Sequence, residues 1–255
     1  MRDSPISYDE RLRAELQALL ERVDHLLVDI NVQCPYGLPH VATFHQATFA
    51  PLNDRAMELF LSGGFRRNGN CLYSMKCKTC NGCLPVRLHA DTFKANRNQR
   101  RSVKRNRDVE TELMPLHPGL EDFELCGKFL ADRYPQENNN AEGYYREFFL
   151  NNIVSSAQIQ FRVDGRLVGN SIIDIGYNWL NAVYFYFDPD EGRRSLGTFN
   201  IMTLIELCRE WKIQYLYLGY LIDEVAAMSY KRNFRPHYVY HAGYWYESLK
   251  DETHS

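Results

Sequence analysis

The sequence predicts a mixed α+β protein, with a largely antiparallel sheet flanked by helices and a cysteine-containing N-terminal region ahead of it. Three observations predict this. Three apolar runs, Gln158 to Val163, Leu167 to Ile175 and Trp179 to Phe187, are joined at Asp164-Gly165 and Tyr177-Asn178, as in an antiparallel meander. A helical pattern from Phe199 to Trp211 follows, and then a strand-like run from Tyr215 to Leu221. The 255 residues, 45% hydrophobic and 24% charged, suffice for one large core or two small ones.

The remaining elements follow in order. Ser7 to Leu20 reads as a helix: Ser7 caps it, Glu10 completes a capping box, and Leu12, Leu16, Leu19 and Leu20 share a stripe. Val41 to Phe49 reads as extended. Leu52 to Leu61 is a helix closed by Ser62-Gly63-Gly64, where glycine can take the left-handed cap conformation. Phe65 to Met75 is a strand or hairpin around the turn pair Asn68-Gly69. Val86 to Phe93 is a further strand and Gln99 to Arg107 a short basic helix. Leu120 to Arg133 and Tyr144 to Asn152 are helices preceding the meander.

No apolar run approaches the ~20 residues needed to span a bilayer, so no membrane partner is expected. Met1-Arg2-Asp3-Ser4-Pro5 lacks the apolar core of a signal peptide. A cytoplasmic protein is therefore expected, with its seven cysteines reduced. The net charge of −2 hides a segregated pattern. Lys94, Arg97, Arg100, Arg101, Lys104, Arg105 and Arg107 occur without an intervening acid, and an acidic stretch follows. The sign change, with Met114-Pro115-Leu116-His117-Pro118-Gly119, suggests a division into residues 1–108 and 109–255.

Four groups of residues carry candidate chemistry. Cys77, Cys80 and Cys83 recur at spacing three, and Cys34 could join them to hold zinc or an iron–sulfur cluster; the alternative is a tight turn of small residues at Asn81-Gly82. Arg66 and Arg67 on one strand point to opposite faces, so at least one should meet the interior or a cleft. It would need a carboxylate there, from the protein or from a ligand, and Tyr73 stands nearby. The block of Arg97, Arg100, Arg101, Lys104 and Arg105 repeats at three- and four-residue steps, so like charges share a helix face; a phosphate backbone would relieve their repulsion. Tyr217 and Tyr220, with Lys231 and Arg235 beyond them, suggest either a packed core or the floor of a pocket. The order of meander, loop, helix and strand matches a GNAT-like acyltransferase core. In such a core the amides at the helix start, here Arg194-Ser195-Leu196-Gly197-Thr198, would face a carbonyl or anionic oxygen.

Taken together, these residues resemble the arginyl-tRNA–protein transferase family, and its bacterial leucyltransferase branch more closely. The carriers in the first half are Cys34-Pro35-Tyr36, Gly64-Phe65-Arg66-Arg67-x-Gly69, Tyr73, Cys77-x-x-Cys80-x-x-Cys83-x-Pro85-x-Arg87 and Asn96-Arg97-x-Gln99-Arg100-Arg101. In the second half they are Phe187-Asp188-Pro189-Asp190, Arg193-Arg194-Ser195-Leu196-Gly197-Thr198, Tyr215-Leu216-Tyr217-Leu218-Gly219-Tyr220 and Met228-x-Tyr230-Lys231-x-x-Phe234-Arg235-Pro236. The chain departs from the pattern at Gly37, Met75 and Val225-Ala226-Ala227.

The resemblance implies transfer of leucine from leucyl-tRNA to proteins with an N-terminal Asp or Glu, which creates an N-degron. Arginine is the alternative donor amino acid. It implies that residues 1–108 recognise the acceptor and that 109–255 form the transferase domain. Arg66 or Arg67, with Tyr73, would hold the acceptor carboxylate, and Lys231 and Arg235 would help at the tRNA 3′ end. Ser195 and Gly197 would lie at the aminoacyl site, with Asp174 or Asp188 as proton acceptor. The basic block would grip tRNA. No cofactor is required, and zinc or iron–sulfur at Cys34, Cys77, Cys80 and Cys83 is a further possibility. Two rivals remain open: a non-catalytic zinc-dependent RNA-binding module and a coenzyme A-dependent N-acetyltransferase.

Overall fold

The computed structural model describes residues 7–135 and 140–248. Helix α1 (Tyr8–Val23) opens the described chain with the expected capping box: Glu10 N–H donates to Ser7 Oγ and Ser7 N–H to Glu10 Oε2. Its buried stripe is Leu12 and Leu16. Strands β1 (Val28–Gln33), β2 (Val41–Thr48), β3 (Arg66–Asn68) and β4 (Cys71–Met75) form an antiparallel sheet in the order β1-β2-β4-β3, with α2 (Asp54–Ser62) between β2 and β3 in sequence. Gly69 turns the β3–β4 hairpin at φ +55°, as Asn68-Gly69 foretold.

An eight-stranded sheet forms the rest: β5 (Leu84–His89), β6 (Glu110–Pro115), β7 (Ser156–Val163), β8 (Arg166–Ile175), β9 (Trp179–Phe187), β10 (Tyr215–Leu221), β11 (Tyr238–His241) and β12 (Tyr244–Glu247). Its order is β12-β11-β5-β10-β9-β8-β7-β6. All neighbours are antiparallel except β9 and β10. A parallel pair needs a crossover, and α6 (Leu196–Glu210) supplies it. The other helices are α3 (Arg97–Arg105), α4 (Leu120–Arg133), the short α5 (Ala141–Tyr144) and the short α7 (Ala226–Ser229). The order of meander, crossover helix and strand is the one anticipated from the sequence.

The packing does not break at residue 108. Strand β5 lies between β10 and β11, and α3 packs on α6. The reason is that Pro85, Val86, Arg87 and Leu88 are all buried, so β5 needs cover on both faces. Two further expectations change. The helix at Tyr144 to Asn152 is instead α5 followed by one π-helical turn, Tyr145–Phe149. Strands β1 and β6 were not anticipated, because neither buries a regular stripe.

The β9–β10 pairing positions the site. It runs only from Tyr215–Trp179 to Tyr217–Asn181. Beyond it β9 continues to Phe187 without β10 alongside, while β10 bulges between Tyr217 and Tyr220, with Gly219 at φ +77°. Strands that diverge in mid-sheet leave a gap, and α6 begins above it.

Candidate active site

The gap is a cavity of about 750 Å³. Its walls include Tyr36, Arg66 and Tyr73 from the first half, and Tyr184, Ser195, Gly197, Tyr220 and Lys231 from the second. The two halves of the sequence therefore meet in one site.

The arginine pair resolves into two different roles. Arg67 donates from Nε and Nη2 to the two oxygens of Asp174 at 2.9 and 2.8 Å, and both side chains are fully buried. Its Nη1 donates to the carbonyls of Gly69, Phe148 and Phe149. Asp174 also accepts from Ser156 Oγ and Asn181 Nδ2. This saturated pair ties β3 to β8, so the expectations that Arg67 holds substrate and that Asp174 takes a proton are corrected.

Arg66 is different. Its Nη1 donates to its neighbour's carbonyl, Phe65 O, at 2.7 Å, and its Nη2 to Gly219 O at 3.2 Å. Its Nε is buried without a partner. The guanidinium lies 5.7 Å from the ring centroids of both Tyr217 and Tyr220, and among the described residues it has no carboxylate partner. Burial lowers its pKa, yet a guanidinium remains charged at neutral pH.

Lys231 is the second such cation. It is only 7% exposed, and its Nζ donates to Tyr220 O at 2.6 Å. Burial, with Arg66 as a like charge, brings its pKa down to about 7. The β10 bulge explains why both cations come here: it turns the carbonyls of Gly219 and Tyr220 toward them. A glycine inside an aromatic strand is the sequence signal for this bulge. Tyr73 pairs with Arg66 across the hairpin, and burial raises its hydroxyl to about 12, so it stays protonated as a hydrogen-bond donor.

Helix α6 opens on the same cavity. Ser195 sits at φ +56°, ψ +48°, and its carbonyl accepts from Thr198 and Phe199. Among the described residues no backbone carbonyl accepts from the amides of Leu196 or Gly197. A β-carbon placed on Gly197 would meet nothing within 4 Å, so its backbone is approachable. Helix α3 holds this turn: Ser102 Oγ donates to Ser195 O at 3.3 Å, and Asn106 Nδ2 to Arg194 O at 2.9 Å. Asn106 belongs to the Lys104-Arg105-Asn106 run that the sequence singled out, whereas Ser102 did not stand out, being an isolated polar side chain on a basic helix. On the outer face of α3, Arg97, Arg100, Arg101, Lys104 and Arg105 are exposed and enter no ion pair among the described residues. The downstream acids therefore do not neutralise the block.

Several expected site residues lie elsewhere. Asp188 accepts from Lys128 Nζ, Arg166 Nη1 and Asp190 N–H. Burial opposes its charge, but these three donors together hold the carboxyl below its usual value. It pins the loop before α6 and is not a free base. Tyr217 points into the core beside Trp245 and touches the cavity only through Arg66. Arg235 donates to Ser248 O and does not line the cavity.

Cys34, Cys77, Cys80 and Cys83 are free and partly buried. Among the described residues no three His, Cys, Asp or Glu side chains converge as metal ligands. Burial, with Cys77 nearby, pushes the Cys83 thiol up to about 12. The Cys77 and Cys80 sulfurs accept the amides of Thr43 and Gly82.

Comparison with known proteins places this geometry. Residues 32–101 match the family description "Arginine-tRNA-protein transferase, N terminus", and residues 121–241 match "Arginine-tRNA-protein transferase, C terminus". An aspartate/glutamate leucyltransferase of Methylobacillus flagellatus is 38% identical over 175 residues, covering 68% of this chain and 71% of its own. One from Nitrosospira multiformis is 37% identical over 223 residues, covering 86% and 89%. Among solved structures, FemX is similar at 11% identity with a TM-score of 0.45, covering 86% of this chain and 70% of its own. Among the described residues no helix is long and apolar enough to cross a membrane.

Proposed function

The chain belongs to the arginine-tRNA-protein transferase family, and from that membership and the cavity we infer that it moves leucine from leucyl-tRNA to the N-terminus of proteins beginning with Asp or Glu. The product then carries an N-terminal leucine, an N-degron. The observation that carries the reading is the charge of the cavity wall. Among the described residues it presents the buried Arg66 and Lys231, the exposed Arg133 and the already paired Arg67, and no Asp or Glu. Buried cations without a carboxylate are costly, and the acceptor's side-chain carboxylate is the partner they lack. Arg66 offers it Nε and the free hydrogen of Nη2, a bidentate fork. Lys231 supplies a second charge.

The same wall favours leucine over arginine as the transferred residue. Val183, Phe185, Ile201 and Leu218 line the cavity toward α6, and no described acid is there to pair with a second guanidinium. An arginyl group would bring a cation among cations.

The chemistry is acyl transfer from an activated ester. The acceptor's α-amine, with a pKa of ~8, is partly neutral at cellular pH. Its nitrogen attacks the ester carbonyl, forming the C–N bond. The C–O bond to the tRNA ribose breaks, and the proton released by the amine balances the one gained by the ribose oxygen. The amides of Leu196 and Gly197 are placed to hold the oxyanion, as preorganised donors. The remaining task is to orient two bound reactants. The outer face of α3 would take the tRNA backbone, and residues 1–108 contribute most of the acceptor side. Aminoacyl-tRNA as donor makes the cytoplasm the proposed location.

The test uses purified protein with separately charged tRNA-Leu and tRNA-Arg and peptides starting in Asp, Glu, Lys and Ala. Labelling of the acidic peptides from leucyl-tRNA alone is expected. Labelling from arginyl-tRNA alone would overturn the donor assignment, and labelling of Lys- or Ala-starting peptides would overturn the acceptor assignment.

A further inference from the structure

We propose that the open face of the four-stranded sheet receives the acceptor polypeptide downstream of its N-terminal acidic residue. This rests on the acceptor reading of the Arg66 cavity. Residues paired across antiparallel strands share a face, and the register runs unbroken from the cavity to the sheet edge. Arg66 pairs with Tyr73, Tyr73 with Gln46, and Gln46 with Val28. Two residues along, Phe44 pairs with Ile30, and its ring lies 5.2 Å from that of Tyr73. The face that binds the first residue therefore continues as Tyr73, Phe44 and Gln46 to β1.

Ala42, opposite Val32 on this face, is buried, but along β1 itself the face is uncovered. Val28, Ile30 and Val32 are 52%, 42% and 42% exposed, and all six residues of the strand are open to solvent. The opposite face is built differently. There Arg67, Leu72, His45 and Thr43 are buried, and Asp29 and Asn31 are bonded to His45 and Thr43. An unpaired edge strand carrying three β-branched apolar side chains is a liability that folded proteins usually blunt with charge. Here no charged side chain stands beside them on their own strand face.

The occupant follows from continuity and reach. Strands lie about 4.8 Å apart, so β3 to β1 spans roughly 14 Å; an extended chain covers that in about four residues at ~3.3 Å each. An acceptor whose first side chain is held at Arg66 thus lays its next residues over Tyr73, Phe44 and Ile30. A neutral, moderately apolar surface suits a segment whose sequence varies from one acceptor to the next, because it makes area contacts without demanding a particular charge. The cavity selects the first residue, and the sheet adds affinity without selecting the rest.

The experiment compares an Asp-starting dipeptide with an Asp-starting decapeptide as acceptors for wild type, Ile30→Asp and the milder Ile30→Thr. KM for the decapeptide should rise about ten-fold in Ile30→Asp, equivalent to ~1.4 kcal/mol, with a smaller rise in Ile30→Thr. The dipeptide KM should be unchanged in both. Thermal melts check that the exposed substitutions leave the fold intact. Equal decapeptide KM in all three proteins overturns the inference while leaving the acceptor cavity standing, and so does an equal rise for both peptides. If wild type is dimeric by light scattering and Ile30→Asp makes it a monomer without changing decapeptide KM, the face belongs to a second copy and the inference is wrong. Transfer by wild type to neither peptide would instead overturn the proposed function itself.

Discussion

Replacing Arg66 with methionine removes charge while keeping most of the side-chain volume. Arg66 keeps its Nη1 on Phe65 O and one Nη2 hydrogen on Gly219 O, which leaves Nε and the second Nη2 hydrogen for a ligand. A hydrogen bond to a charged group contributes about 1.5–3 kcal/mol. Two such bonds to the acceptor carboxylate amount to roughly 3–6 kcal/mol, or two to four orders of magnitude in kcat/KM. Lys231 remains to share the anion, so the lower end, about 100-fold, is expected for Arg66→Met. The assay is leucine transfer to matched peptides starting in Asp and Asn. Wild type should strongly prefer Asp, and the variant should nearly lose that preference because Asn never used the fork's charge. Retention of the wild-type Asp:Asn ratio by Arg66→Met would refute the clamp.

Other outcomes follow from the same geometry. Arg67→Met leaves Asp174 buried and unpaired, so chemical denaturation should show a loss of about 3–5 kcal/mol, and the double change Arg67→Met/Asp174→Leu should recover much of it. Arg100→Ala/Arg101→Ala should weaken tRNA binding and flatten the slope of log affinity against log salt by roughly 1.4–1.8, measured by filter binding. Lys231 has a folded pKa of about 7, below that of the unfolded chain, so between pH 7 and about 10.5 the unfolded state binds the extra proton. Stability from this group therefore rises with pH across that window, with a limiting slope near 1.4 kcal/mol per pH unit. The Lys231→Met protein should lack that increment when melts are compared from pH 7 to 9.5.

The second half of the fold was legible because its strands alternate cleanly between short turns and its helix has a continuous apolar stripe. Strand β1 was not, since Val28, Ile30 and Val32 alternate but bury nothing, and a strand without a core face has no firm pattern. The place of β5 was hidden for a related reason. Val86 and Leu88 announce a strand, but nothing local says that it inserts beside β10, some 130 residues later. Within the site, the two neighbouring arginines were visible and their division of labour was not. That division depends on Asp174, which reads in sequence as one more acid near the meander. Asp174 and Asp188 looked available as bases for the same reason: the donors that saturate them, Arg67, Lys128 and Arg166, come from distant segments. The Gly219 bulge could have been found from its glycine, but its consequence, two carbonyls turned onto Arg66 and Lys231, required the tertiary fold.

The measurement that bears most directly on the central claim is an equilibrium titration of wild-type protein with two isosteric peptides, one starting in Asp and the other in Asn. The peptides differ only in the group that Arg66 and Lys231 are proposed to hold. The account predicts at least about 100-fold tighter binding of the Asp peptide, a difference of ~2.7 kcal/mol. Equal affinity for the two would contradict it.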